Sequence, residues 1–157
     1  MASTVTSATL TVSLTESITL NGVRRGSSAV TSISGIGEVS NRIMSITNST
    51  NGTNIIDIAA SAVSAGTYSK TAVKYLRITN LDDTNFVILM FTDGDGAGSG
   101  SHNWELKLEA GKSIILGDTA SIDNVNDIDS FSAAAIARIL GKADTAAVDI
   151  EVYIAST

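Results

Sequence analysis

The side chain with the clearest catalytic potential is His102, the only histidine in the chain. A histidine can serve as general base for a serine nucleophile, and serine and aspartate are abundant here. No serine, however, lies in the G-x-S-x-G motif of a nucleophile elbow, and His102 directly follows the glycine-rich segment 94–101. We therefore expect His102 to be a loop residue and the protein to be non-enzymatic, with no catalytic residues.

Two glycine-containing segments resemble phosphate-binding motifs but lack the residues that define them. Ala110-Gly111-Lys112-Ser113 matches the end of a P-loop, yet Leu106 stands where that motif has its first glycine. The residues that follow, 113–116, have the composition of a strand rather than of the helix a P-loop requires. The alternating glycines of segment 94–100 do not have dinucleotide-loop spacing, and Asp93 and Asp95 would repel a pyrophosphate. We expect both segments to be turns, and no nucleotide cofactor.

Carboxylates cluster at two places where a hard cation such as calcium could bind. The first, Asp93-Gly94-Asp95-Gly96, begins like a calcium loop, but Ala97 occupies the third ligand position and Trp104 the position of the closing glutamate. The second, segment 123–129, follows no known spacing. The chain has no cysteine, which excludes disulfides and thiolate ligands. We predict no metal site and keep calcium binding at either loop as an alternative.

Charge and composition argue against nucleic acid, membranes and sugars as binding partners. The net charge is −6, and the one basic pair, Arg24-Arg25, is too small for a nucleic-acid surface. No apolar run approaches the roughly 20 residues that span a membrane. Aromatic residues make up 4%, too few to favour a sugar-binding surface. Charged residues make up 17%, below the roughly 25% of typical soluble domains. That low charge indicates either a surface partly covered by other protein subunits or a surface kept soluble by small polar side chains.

Alternation of apolar and polar residues predicts strands along most of the chain. In segment 146–154, Val148, Ile150, Val152 and Ile154 point to one face, while Asp149, Glu151 and Tyr153 point to the other. Segment 86–91 is apolar on both faces and should lie centrally in a packed sheet. Apolar residues keep even parity over 8–20 and end at the Asn21-Gly22 turn signal.

Two further segments are predicted as hairpins. Strands at 40–47 and 53–59 flank an Asn51-Gly52 tip. Segment 132–140 is ambiguous: three consecutive alanines favour a helix, whereas Ile136, Arg138 and Leu140 continue a period of two toward the final strand. We favour the hairpin. Eight to ten short strands without intervening helices predict an all-β fold, a single jelly-roll-like β-sandwich over residues 1–157 with little or no helix. Residues 1–30 are a candidate extended N-terminal strand or arm.

Three segments resemble a known class of proteins. They are Ser17-Ile18-Thr19-Leu20-Asn21-Gly22, Val73-Lys74-Tyr75-Leu76-Arg77-Ile78-Thr79-Asn80, and Val148-Asp149-Ile150-Glu151-Val152-Tyr153-Ile154-Ala155-Ser156. They are similar to segments of small structural proteins from tailed bacteriophages, especially phages of marine hosts. The resemblance carries no functional residues, because the matching segments are strands without reactive groups.

The resemblance implies a virion protein with a β-sandwich core, made in the cytoplasm of a host bacterium. Its expected role is capsid decoration: a cement protein that bridges and stabilises major capsid subunits, with a tail or fibre component as the alternative. Expected partners are the major capsid protein and copies of the chain itself, as a homotrimer or other homo-oligomer, without nucleic acid, membrane or small-molecule substrate. Candidate partner contacts are Ala2, Ser3, Thr4, Val5, Arg24 and Arg25.

Overall fold

The computed structural model describes residues 6–59, 67–69, 71–92, 103–117 and 136–157. Across these ranges the chain forms strands and turns and no helix, which confirms the predicted all-β class. The described strands are β1 (Ala8–Thr15), β2 (Thr19–Leu20), β3 (Val23–Arg24), β4 (Ser28–Ile36), β5 (Glu38–Ile46), β6 (Thr53–Ala59), β7 (Thr67–Ser69), β8 (Val73–Asn80), β9 (Val87–Thr92), β10 (Asn103–Leu108), β11 (Ser113–Gly117), β12 (Arg138–Ala143) and β13 (Val148–Ser156).

Two sheets form the sandwich. One has the order β11-β8-β13-β5, and the other has the order β10-β9-β12-β6 with the short parallel strand β7 at its edge. If β7 is left out, the sandwich has eight described strands, which can be counted from one to eight in chain order from β5 to β13. One sheet then consists of the first, eighth, third and sixth strands, side by side in that order. The other consists of the second, seventh, fourth and fifth. This antiparallel arrangement is that of a jelly roll, so the predicted sandwich type is confirmed.

The core lies between the facing sheets and consists almost entirely of aliphatic side chains. Val148, Ile150, Val152 and Ile154 of β13 are at most 2% exposed, as the alternation predicts. They pack against side chains of the opposite sheet, including Leu89 and Ile139. Strand β9 lies between β10 and β12, which confirms the central position predicted for segment 86–91.

A polar loop closes one end of the sandwich. The Asn80 side chain is fully buried, and its amide donates hydrogen bonds to the carbonyl oxygens of Asn85 (2.9 Å) and Leu108 (3.2 Å). The Asp82 carboxylate accepts from the backbone amides of Asn85 and Thr84, both at 2.7 Å. These two donors stabilise the charged form and hold the pKa of Asp82 below its usual range.

Both predicted hairpins are wrong in their pairing. Strands β5 and β6 exist, but β5 pairs with β13 whereas β6 pairs with β12 in the other sheet. The segment 47–52 between them crosses from sheet to sheet, with Gly52 at φ 72°. Strand β12 begins at Arg138, so residues 138–140 are strand as favoured, whereas residues 132–135 of that segment lie outside the described residues. Strand β12 too lies in the sheet opposite its supposed partner β13. In a jelly roll most consecutive strands belong to different sheets, so adjacency in the chain does not indicate pairing.

Candidate interaction surface

An N-terminal β-hairpin, here called the arm, extends over residues 8–36 and precedes the first strand of the jelly roll. Strand β1 pairs with β4, and β2 pairs with β3 in the same register. The ladder is interrupted at residues 16–18 and 25–27, where one backbone hydrogen bond from Glu16 to Ser27 (2.8 Å) and one from Arg25 to Ile18 (2.9 Å) hold the two chains of the hairpin together. Asn21 and Gly22, at φ 51° and 75°, form the two-residue turn that the Asn-Gly signal predicts.

The base of the arm packs on the outer face of the β11-β8-β13-β5 sheet. Ile33 and Ile36 of β4 form a buried cluster with Tyr75 of β8 and Ala155 of β13. Leu10, Val12 and Tyr153 pack around this cluster. The contact fully buries Ala155, although it lies on the outer face of its sheet. A third apolar layer therefore anchors the arm at its base.

A cleft of about 240 Å³ separates the base of the arm from the sheet and is lined by residues 10–13, Tyr75, Arg77 and Tyr153. The two tyrosine rings meet edge to face at 5.9 Å. The Arg77 guanidinium lies 5.8 Å from the Tyr153 ring centroid and forms an ion pair with Glu151. Burial raises the pKa of the Tyr75 phenol. Because Glu151 already neutralises Arg77, the cleft presents no free charge to a ligand, and it contains no nucleophile beyond ordinary hydroxyl groups.

Beyond its base the arm projects away from the sandwich. Every residue from Ser13 to Ser32 is exposed except Gly26, which is half-buried. The distal arm has two unlike faces because cross-strand partners share a face. One face carries the cross-strand pairs Leu14–Ala29, Glu16–Ser27, Ile18–Arg25 and Leu20–Val23; the other carries Thr15, Ser17, Thr19, Arg24, Gly26, Ser28 and Val30.

The face that carries the pairs from Leu14–Ala29 to Leu20–Val23, here called the apolar arm face, is solvent-exposed. Leu14, Ile18, Leu20 and Val23 are each more than half exposed. It continues the face that carries Leu10 and Val12, which are packed at the base. A patch of exposed aliphatic side chains is more often a protein-binding site than is an average part of a protein surface. The apolar arm face is therefore a candidate protein-interaction surface.

The predicted partner contacts fall on two regions. Arg24 and Arg25 lie near the tip of the arm, are exposed, and point to opposite faces. Ala2, Ser3, Thr4 and Val5 lie outside the described residues, as do His102, the 93–101 loop and the 123–129 cluster. The sequence analysis missed Leu14, Ile18, Leu20 and Val23 as surface residues. Their even parity was visible, but alternation does not reveal that nothing covers the face.

The described ranges bear on the metal and P-loop interpretations. They contain no group of three or more histidine or acidic side chains arranged to hold a metal ion. Ser113 begins strand β11 rather than a helix, so the P-loop interpretation of segment 110–113 is excluded and the predicted turn, with Gly111 at φ 67°, is confirmed. No helix capable of spanning a membrane occurs in the part of the chain that is described.

Comparison of the chain with protein families, with curated proteins and with solved structures found no significant match.

Proposed function

We propose that this protein is a non-enzymatic capsid decoration protein of a bacteriophage virion, a cement protein that bridges and stabilises major capsid subunits. The observation that carries the proposal is the arm, which projects from a closed sandwich and exposes aliphatic side chains over its distal half. The virion setting is inferred from the resemblance of three segments of the chain to structural proteins of phages. The jelly roll adds support by analogy, because that fold recurs in viral capsid proteins.

The division of the molecule into two parts suits this role. In the proposal the sandwich is a rigid body that seats on the shell, and the arm reaches from it toward a neighbouring subunit. Extended over 8–20, the arm is roughly 40 Å long at 3.3 Å per residue, so it extends well beyond the cluster at its base. An element of that length joins subunits that the sandwich alone does not touch.

The mechanism requires no chemical step. A protein that binds the assembled shell, and not its free subunits, stabilises the shell by mass action. At a free concentration 100 times the dissociation constant, this stabilisation is about 2.7 kcal/mol per site. Many identical sites on one particle multiply that effect, which raises the temperature at which the shell bursts.

The test compares virions made with and without the protein. We expect particles lacking it to assemble, to release their DNA at a lower temperature, and to recover heat resistance when purified protein is added back. Hundreds of copies per virion would fit decoration of a shell. Particles that keep full heat resistance but fail to adsorb to cells would refute the cement role and favour the tail or fibre alternative.

A further inference from the structure

The four cross-strand pairs on the apolar arm face are arranged almost symmetrically about the middle of the face. Two aliphatic pairs, Leu14–Ala29 and Leu20–Val23, lie at its ends. Between them lie one pair that carries an acid, Glu16–Ser27, and one that carries a base, Ile18–Arg25. If a second arm is laid over the first in the opposite direction, each aliphatic end pair therefore meets the other aliphatic end pair, and the pair that carries the acid meets the pair that carries the base.

From this pattern we infer that the apolar arm faces of two copies of this chain stack antiparallel about a two-fold axis. The axis passes midway between the two central pairs. Leu14 of one copy then packs on Leu20 of the other, and Glu16 lies diagonally across from Arg25. Two-fold contacts are self-complementary, so the hydrophobic contact and the ion pair each form twice. The inference rests on the proposed function for its setting, since it names the neighbour to which the arm reaches.

Charge supports a second copy as the occupant. Glu16, Arg24 and Arg25 are the only charged residues of the arm, and Glu16 and Arg25 are the two on the apolar arm face. An unrelated apolar partner would leave both of these charges facing a surface without counterparts. A second arm provides a counter-charge for each. The Ser27 hydroxyl donates a hydrogen bond to the Glu16 carboxylate at 2.7 Å, which holds that carboxylate on this face.

The expected affinity is low in solution. The four stacked pairs span about 20 Å along a ribbon about 10 Å wide, well below the roughly 800 Å² per partner of a stable interface. The free protein should therefore be mostly monomeric when dilute. When two copies are seated side by side on one shell, the contact becomes effectively intramolecular, and its high local concentration makes it persist.

Thiol cross-linking tests the arrangement cleanly, because the natural chain has no cysteine. Full-length Leu14→Cys and Leu20→Cys proteins are mixed with a short bismaleimide that spans the ~10 Å between stacked sheets. We expect the mixture to cross-link roughly tenfold faster than either protein alone, since like positions lie about 20 Å apart in an antiparallel stack. A Thr15→Cys and Thr19→Cys mixture has related spacing on the opposite face and serves as the control.

Charge reversal in the same assay adds a second readout. Glu16→Arg and Arg25→Glu, each introduced into both cross-linking proteins, should slow the reaction roughly two- to fivefold, and the two together should restore it. Cross-linking at the control rate, fast reaction of Leu14→Cys alone, or failure of the double reversal to rescue would overturn the inference. If cross-linking fails while particles without the protein lose heat resistance, only the inference falls. If it succeeds while heat resistance is unaffected, only the cement function falls.

Discussion

The sandwich and the arm are built from the same alternating pattern, yet their apolar faces have opposite fates. In β13 the face carrying Ile150 and Val152 is completely buried. In the arm the face carrying Ile18 and Leu20 is more than half exposed. The difference shows that alternation determines which side chains share a face, whereas only the packing of a second layer determines whether that face is covered.

The outer face of β13 illustrates the same point at a smaller scale. Asp149 is exposed, Glu151 is half-buried beside Arg77, and Ala155 is fully buried under the arm. Three residues of one strand face thus have three environments. The arm crosses the sheet at one end only, and a pattern read along β13 contains no information about that crossing.

The largest difference in stability should be between substitutions at Ile150 in the sandwich and at Ile18 in the arm. Ile150→Asp places an unpaired charge between the sheets and should destabilise the fold by several kcal/mol, enough to prevent folding. Ile18→Asp, on the exposed arm, should change the free energy of unfolding by no more than about 0.5 kcal/mol. Chemical denaturation of both variants provides the measurement. Comparable losses would mean that the arm belongs to the cooperative core.

The next effect compares two asparagines. Asn80→Ala removes the amide that donates to the Asn85 and Leu108 carbonyl groups and leaves buried acceptors unpaired, at a cost of about 1–3 kcal/mol. Asn21→Gly, at the tip of the arm, keeps the positive φ accessible and should be nearly neutral. Thermal unfolding followed by circular dichroism distinguishes them. An equal drop in Tm would show that the arm tip is as tightly integrated as the loop.

A pair of glutamates should show a smaller difference. Sequence alternation places Glu151 on the face of β13 opposite the core, and in the structure it is half-buried there in an ion pair with Arg77. Glu151→Lys should therefore destabilise by about 1–2 kcal/mol, because it sets two cations side by side where the base of the arm limits solvation. Glu16→Lys on the distal arm should remain within about 0.5 kcal/mol. If the two substitutions cost the same, the ion pair beneath the arm contributes nothing.

The smallest effect is pH-dependent and confined to the sandwich. The lowered pKa of Asp82 means that its contribution to stability is present above the unfolded pKa of about 3.9 and is lost as pH falls through the lower folded value. Asp82→Asn should therefore be less stable than the natural protein near pH 6, with a gap that narrows below pH 3.9. Urea titrations at several pH values measure this gap. The neighbouring Asp83→Asn is the control, since the Asp83 carboxylate accepts from the Thr84 hydroxyl rather than from backbone amides.

Much of the sandwich could be predicted from the sequence because local patterns specify it. The faces of β13, the central position of β9 and the turn at Gly111 follow from period-two alternation and from turn residues. Strand partners could not be predicted, since the β5–β6 and β12–β13 connections cross between sheets and leave no local signal. For the interaction surface, Arg24 and Arg25 were predicted as partner contacts, and both are exposed. The aliphatic residues beside them were not, because burial depends on contacts distant in the chain.

The bridging role of the arm is tested most directly by the heat resistance of protein-free particles after add-back of a variant that has the complete sandwich and a shortened arm. Residues 15–28 are replaced by a two-residue Asn-Gly turn that joins Leu14 to Ala29, which are cross-strand partners in the same hydrogen-bonding phase as Leu20 and Val23 at the natural turn. We expect this variant to keep the Tm of the sandwich and to fail to restore heat resistance, whereas the natural protein restores it. Full restoration by the shortened protein would contradict the claim that the arm, rather than the sandwich alone, bridges the shell.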